Sequence, residues 1–210
     1  MSDPSNTIMS RLRKETRELH SHAESRPLQQ QIARGEVDRE RFAAYLGQLY
    51  LVHKKLESTL DHAKSDSPTI NRVATADRMR VPDLERDLRF YQLDPNGLEP
   101  GAAAMEFHDA IDRINAEDPV ALLGSLYVLE GSTNGGKFLA RVLRRAWNLN
   151  EEGLSYFDPY GDEQPHRWAA FKSDMEDMGF DSDQQNAIVE AAHQTFRAIA
   201  DVSDEVSSSE

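Results

Sequence analysis

Apolar side chains recur at three- and four-residue spacing through nearly all of this chain, and no stretch alternates convincingly between apolar and polar. That regularity restricts the fold to packed helices, because helical spacing gathers apolar groups on one face of a helix and would scatter them over both faces of a strand. The interruptions then mark where helices stop. A first helix covers residues 10 to 24, with Leu12, Thr16, Leu19, His20 and Ala23 on one face. Pro27 suits the first turn of a short helix ended by Gly35. Phe42, Tyr45, Leu46, Leu49, Tyr50, Val52, His53, Leu56 and Leu60 mark a long helix from about Asp38 to Ala63, broken by SDSP.

Pro82 opens a helix carrying Leu84, Leu88 and Tyr91, and LDPNG closes it. Residues 101 to 115 form another, with Met105, Phe107, Ile111 and Ile114 inward, and Asp118 with Pro119 caps the next. NEEGLSYFDPYGDEQ reads as a loop. Pro165 begins a helix with Trp168, Phe171 and Met175 that Gly179 ends, and the last, from about Ser182, turns Ile188, Ala192, Phe196 and Ile199 inward. The expectation is an all-α, single-domain bundle of about 7–8 helices over residues 10–202. A flexible N-terminus (1–9) and a disordered polar tail (203–210) flank it.

With 210 residues, of which 39% are hydrophobic and 29% charged, the chain is long enough to bury a sizeable core. Cys is absent, which excludes disulfides, thiolate metal sites and Cys nucleophiles and is compatible with a reducing cytoplasm. A net charge of -13, with the basic residues scattered among acids, argues against nucleic-acid binding. No apolar run approaches the roughly 20 residues of a membrane span, and the N-terminus has no signal-peptide core. The expectation is a soluble, cytoplasmic protein.

One segment departs from its own pattern. In EGSTNGGKFLARVLRR, residues 130 to 145, helical spacing continues on both sides of Gly131, Gly135 and Gly136. Three glycines inside a helix cost about 1 kcal/mol each relative to alanine. Gly124, Gly131 and Gly135 share one helical face, so either something flat approaches the backbone there or another helix packs tightly against it.

His20 is the second departure. It lies on the apolar face of the first helix four residues before Glu24, which can orient one ring nitrogen and leave the other to ligate iron; a hydrogen-bonded core histidine is the alternative. His22, about 200° away around the helix, faces solvent. His53 lies on a semi-apolar face, while His62, His108 and His166 sit near helix ends or on polar faces. Glu190 and His193 form a single Glu-x-x-His pair without the second copy that a di-iron site needs. Phosphate-loop, dinucleotide, nucleophile-elbow and zinc-helix motifs are all missing.

A histidine on the first helix and a glycine-lined helix late in the chain make a plausible sandwich for a planar macrocycle. LRKETRELHSHAE, followed by RPLQQQIARGEVDRERFAAYLGQLYLVHKKLE, resembles the opening of heme oxygenases, and LYVLEGSTNGGKFL resembles their distal-helix motif. The resemblance runs from about residue 10 to 200. It implies that His20 is the proximal iron ligand, that Glu24 influences it, and that Gly131, Ser132, Gly135 and Gly136 lie on the distal side. It also implies that Arg13 and Lys172 stand near the heme propionates.

The implied reaction opens heme to biliverdin with release of CO and ferrous iron. It uses O2 and electrons from a ferredoxin, a flavodoxin-like protein or a reductase, and a bilin acceptor such as a phytochrome is a possible recipient of the product. One position departs from the family pattern: mammalian-type members carry an aspartate directly after the first distal glycine, where this chain has Ser132, as some bacterial members similarly lack an acid. Asn134 is a polar group where an apolar one is expected. A non-enzymatic heme carrier on the same fold is the alternative, and a di-iron or thiamin-related enzyme of the wider superfamily is a third.

Overall fold

The computed structural model describes residues 7–150 and 152–208, and among them are ten α-helices and no strand. The first expected helix is two. α1 (Ile8–Glu15) and α2 (Arg17–Glu24) meet at Thr16, which is buried and donates its hydroxyl to the Leu12 carbonyl at 2.7 Å. That side-chain bond competes with the backbone ladder and lets the chain turn there without glycine or proline. α1 starts earlier than expected, and Ile8 and Met9, placed in a flexible N-terminus by the sequence, are helical and buried; the rest of that expectation, residues 1–6, lies outside the described residues.

α3 (Pro27–Arg34) ends at Gly35, whose φ of 71° is the left-handed conformation that glycine adopts without a Cβ penalty. α4 (Arg39–Ala63) is capped by Asp38, which accepts from Arg41 N at 2.8 Å. A short helix not expected from periodicity, α5 (Pro68–Val73), follows and buries Ile70 and Val73. α6 (Val81–Phe90) and α7 (Ala102–Glu117) follow the predicted stripes except at Met105, which is 55% exposed. Met105 lies two residues, about 200°, from Phe107, and the buried face of α7 is set by Ala103, Ala104, Phe107 and Ile111.

α8 (Leu122–Trp147) follows a 3-10 turn begun at Asp118 and Pro119 and runs unbroken through all four glycines. α9 is Gln164–Asp177 and α10 is Ser182–Ser208. The polar tail expected from residue 203 is therefore helical through Ser208, with residues 209–210 outside the described residues. Val202, Ser203 and Val206 are buried, and Glu205 accepts hydrogen bonds from Ala102 N and Ala103 N at 2.9 Å, capping a helix whose own N-cap, Gly101, has no side chain.

α10 packs against α8, α7, α2, α3 and α4 and is the spine of the bundle. At Gly124 a Cβ would lie 1.9 Å from the Ile188 carbonyl oxygen, so this glycine lets α8 and α10 approach backbone to backbone. Gly124 thus belongs to helix packing, and the cluster of small residues divides between two purposes.

Candidate active site

α2 and α8 each pack on α10, and the gap they leave beside it is a cavity of about 630 Å³. α10 supplies Phe196 and Ile199, α4 supplies Tyr45 and Leu49, and α9 supplies Trp168 to its lining. The residues that the resemblance points to border this one space: Arg13, His20 and Glu24 from α1 and α2, Gly131, Ser132, Gly135 and Gly136 from α8, and Lys172 from α9, whereas Gly124, His53, Glu190 and His193 do not line it. The lining is otherwise largely apolar and aromatic, the usual make-up of a site for a flat organic ligand.

Exposure removes one of the two readings of His20. Its side chain is 55% exposed where it borders the cavity, so it is no core histidine. Nδ1 faces Glu24 Oε2 at 3.4 Å and the ring stands edge-on to Phe196, 5.6 Å between centroids. A carboxylate on Nδ1 fixes the tautomer and leaves Nε2 as the nitrogen for a metal. The core histidine of this chain is His53, 2% exposed, with Nδ1 3.2 Å from Glu57 Oε1 and Nε2 3.2 Å from the Tyr156 hydroxyl.

The α8 glycines differ from one another. A Cβ on Gly135 would meet nothing within 4 Å, and one on Gly131 would touch the Trp168 ring at an ordinary 3.5 Å. Both leave bare backbone along the cavity. A Cβ on Gly136 would instead lie 2.2 Å from the Phe157 carbonyl oxygen, so its missing side chain is required by packing even though the residue also borders the cavity.

Between these glycines three side chains turn back onto the helix. Ser132 Oγ donates to Leu129 O at 2.7 Å, Thr133 Oγ1 to Glu130 O at 2.6 Å and Asn134 Nδ2 to Gly131 O at 2.9 Å. Gln164 donates to Thr133 Oγ1 at 2.8 Å and to Asn134 Oδ1 at 3.2 Å, so Asn134, which borders the cavity, is tied to α9 as well.

A heme oxygenase family model matches residues 6–205. The chain belongs to the heme oxygenase family. The heme oxygenase of Guillardia theta is 30% identical over 166 residues, which cover 76% of this chain and 70% of the relative. Heme oxygenase 1 of Synechocystis is 25% identical over 194 residues, covering 90% and 80%. The crystal structure of the Synechocystis heme oxygenase-1 in complex with heme matches with a TM-score of 0.86 at 24% identity, over 95% of this chain and 91% of that one. The likeness at that identity is one of fold.

As a heme oxygenase the chain has a donor set that fits heme. An imidazole with a free Nε2, bare backbone at Gly131 and Gly135, and the exposed cations Arg13 and Lys172 border one apolar space. The imidazole would suit iron, the apolar walls would suit the ring, and the cations would suit the carboxylates.

Sequence reasoning missed Tyr127 and Tyr156, which also border the cavity. Burial raises the pKa of the Tyr127 phenol, with Thr16, where α1 and α2 part, and Arg13 pulling the other way. Burial pushes the Tyr156 phenol up to about 12, with Ser132 and Arg80 pulling the other way. Tyr156 sits in an aperiodic stretch, where no spacing rule points inward; only its aromatic character was a signal. The Glu190–His193 pair is a helix-surface contact at 3.5 Å, with His193 Nε2 also bound to the Glu15 carbonyl. Among the described residues no helix is long and apolar enough to cross a membrane.

Proposed function

We propose that this chain binds heme between α2 and α8 and opens it, with O2 and electrons, to biliverdin, CO and ferrous iron. The observation that carries the reading is the pairing of His20 with the side-chain-free backbone of Gly131 and Gly135 on a single cavity. Heme is both the substrate and the group that binds and activates oxygen.

The chain's own residues hold and orient it. His20 Nε2 is the proximal ligand, and Glu24 keeps Nδ1 as the donor side and so sets the ring's direction. Arg13 and Lys172 pair with the propionates and select the orientation of the macrocycle, and with it the carbon that is attacked. Gly131 and Gly135 leave room on the distal side for a small diatomic ligand and crowd it sideways. Ser132 stands where an acid is found in mammalian-type members, and its hydroxyl is turned to Leu129 O. Electrons come from a ferredoxin, a flavodoxin-like protein or a reductase in the cytoplasm, and a phytochrome-type acceptor would suit the bilin.

Heme titration by absorbance, followed on the same sample by a ferredoxin reducing system in air, tests this. Stoichiometric binding and a heme absorption band that decays into a bilin spectrum are expected. A reducible complex whose band stays stable would favour a heme carrier, a reading to which the committed Ser132 hydroxyl lends its one support. No binding would discard the heme reading altogether.

A further inference from the structure

A line of buried polar groups leads away from the cavity through the core. It starts at Tyr156, which borders the cavity and is 6% exposed. The Tyr156 hydroxyl lies 3.2 Å from His53 Nε2, the rings meeting edge-on with 5.2 Å between centroids. His53 Nδ1 lies 3.2 Å from Glu57 Oε1, and the side chains of His53 and Glu57 are only 3% and 11% exposed. Glu57 also accepts from Arg80 N at 2.6 Å and Val81 N at 3.1 Å, at the start of α6. The backbone of Tyr156 is anchored in turn, since the fully buried Asp87 accepts from Ser155 N and Tyr156 N at 2.8 Å each.

Burying this many polar groups is costly unless each is paired, and an apolar side chain at position 53 would fill the core without that demand. The distal helix meanwhile offers the cavity no acid: Ser132 donates to Leu129 O and Thr133 to Glu130 O. Oxygen-dependent opening of heme consumes protons, so a donor is needed nearby. Among the described residues, Tyr156 is the cavity tyrosine whose hydroxyl meets a histidine.

We infer that the His53–Glu57 pair is a buried proton reserve that serves the heme cavity through the Tyr156 hydroxyl. The inference rests on the oxygenase reading above. The reserve requires a proton on each ring nitrogen of His53, with Nδ1–H directed at Glu57, which two backbone N–H groups fix at a helix N-terminus, and Nε2–H directed at Tyr156. The transfer moves one proton and no electrons. The Tyr156 O–H bond breaks as its proton passes to an oxygen acceptor in the cavity, and the His53 Nε2–H bond breaks to restore it. The imidazole, now neutral and still donating from Nδ1 to Glu57, takes one proton back from solvent before the next transfer. Arg80, Glu57 and Glu130 are the charged groups that act on the phenol. Tyr156 is the residue at the cavity; His53 and Glu57 are positioning and supply groups behind it.

Nitrogen NMR of the His53 ring in the heme-free protein tests the reserve without turnover. Protons on both ring nitrogens at neutral pH are expected, and the Nε2–H signal should weaken in Tyr156→Phe, where that N–H loses its acceptor. A ring that is neutral throughout, with Nε2 bare, would overturn the inference. In the heme complex, Tyr156→Phe should retain heme affinity within about twofold and slow bilin formation about tenfold or more, the scale of a lost proton donor. His53→Gln should do the same, and the double variant should be no slower than either single, because both sever one path. Unchanged turnover in Tyr156→Phe, additive losses, or heme binding lost with turnover would each assign the three residues to packing. If the unaltered protein fails to bind heme, it is the oxygenase reading that falls, and the ring spectrum still reports on the pair.

Discussion

Gly136 and Phe157 are in backbone contact: a Cβ on the glycine would sit 2.2 Å from the Phe157 carbonyl oxygen, whereas one on its neighbour Gly135 would meet nothing within 4 Å. Adjacent alanine substitutions should therefore have opposite effects. Gly136→Ala must push α8 away from Phe157 and should destabilise the fold by about 1–3 kcal/mol, the range for overpacking. Gly135→Ala should stabilise the heme-free protein by up to about 1 kcal/mol through helix propensity. It also puts a methyl group into the cavity where the proposed function places heme, so its heme affinity should fall. Thermal melts and heme titrations of the pair check this, and a Gly135→Ala variant that binds heme normally would move the ligand off this stretch of α8.

His20 and His22 lie on one short helix, both exposed, yet only His20 borders the cavity. His20→Ala should abolish the normal heme spectrum and turnover, and His22→Ala should leave both nearly intact. Glu24→Gln should be milder. Its contact with Nδ1 is 3.4 Å long and the carboxylate is 69% exposed, so the effect belongs at the lower end of the 10–100-fold range known for groups that orient metal ligands, about tenfold. Absorbance titrations separate the three, and equal effects of His20→Ala and His22→Ala would sink the proximal assignment.

Glu205 caps α7 from the far end of the chain, each carboxylate oxygen accepting one of the first free N–H groups of that helix. Glu205→Ala should cost about 0.5–2 kcal/mol, as loss of a side-chain cap does. Deleting residues 203–210 should cost more, because it also uncovers the core around the buried Val206. Urea denaturation measures both, and a truncated protein as stable as the full chain would restore the picture of a polar tail.

Helix order and most boundaries were legible because they rest on local chemistry. Asp38 at the start of α4, Pro27 with Gly35 around α3, and the long stripe from Phe42 to Leu60 each carry their own signal. The division at Thr16 was not legible: threonine fits the helical stripe, and neither glycine nor proline marks the turn. The tail misled for the opposite reason, since its serines and acids look solvated until α7 supplies N–H groups for Glu205 to cap.

At the candidate site, His20, Glu24 and the glycines stood out as breaks in a pattern. What separates Gly135 from Gly136 is the carbonyl of Phe157, and what ties His53 to Tyr156 is a meeting of α4 with an aperiodic segment. Such long-range contacts leave no trace in spacing. The core-histidine alternative for His20 fails on its exposure, and the buried, hydrogen-bonded histidine is His53.

Glu130 is 1% exposed on α8, and its two carboxylate oxygens are held by the Tyr160 hydroxyl at 2.9 and 3.1 Å. Burial raises its pKa, with the Tyr160 hydrogen bond and the Arg80 and Arg78 charges offsetting part of the rise. A carboxyl group raised in the folded state adds its full contribution to stability below its unfolded pKa of about 4.3 and loses it as pH climbs through the folded value. Glu130→Gln keeps an amide oxygen to accept from Tyr160 and removes the buried charge. The variant should therefore gain on the unaltered protein as pH is raised from about 4 to about 7, with the difference levelling off once the carboxyl group has ionised in the fold. Urea denaturation of both proteins across that window gives the difference directly. A difference that does not change with pH would mean that Arg80 and Arg78 fully compensate the buried carboxylate, and one that turns against glutamine would mean that they overcompensate it.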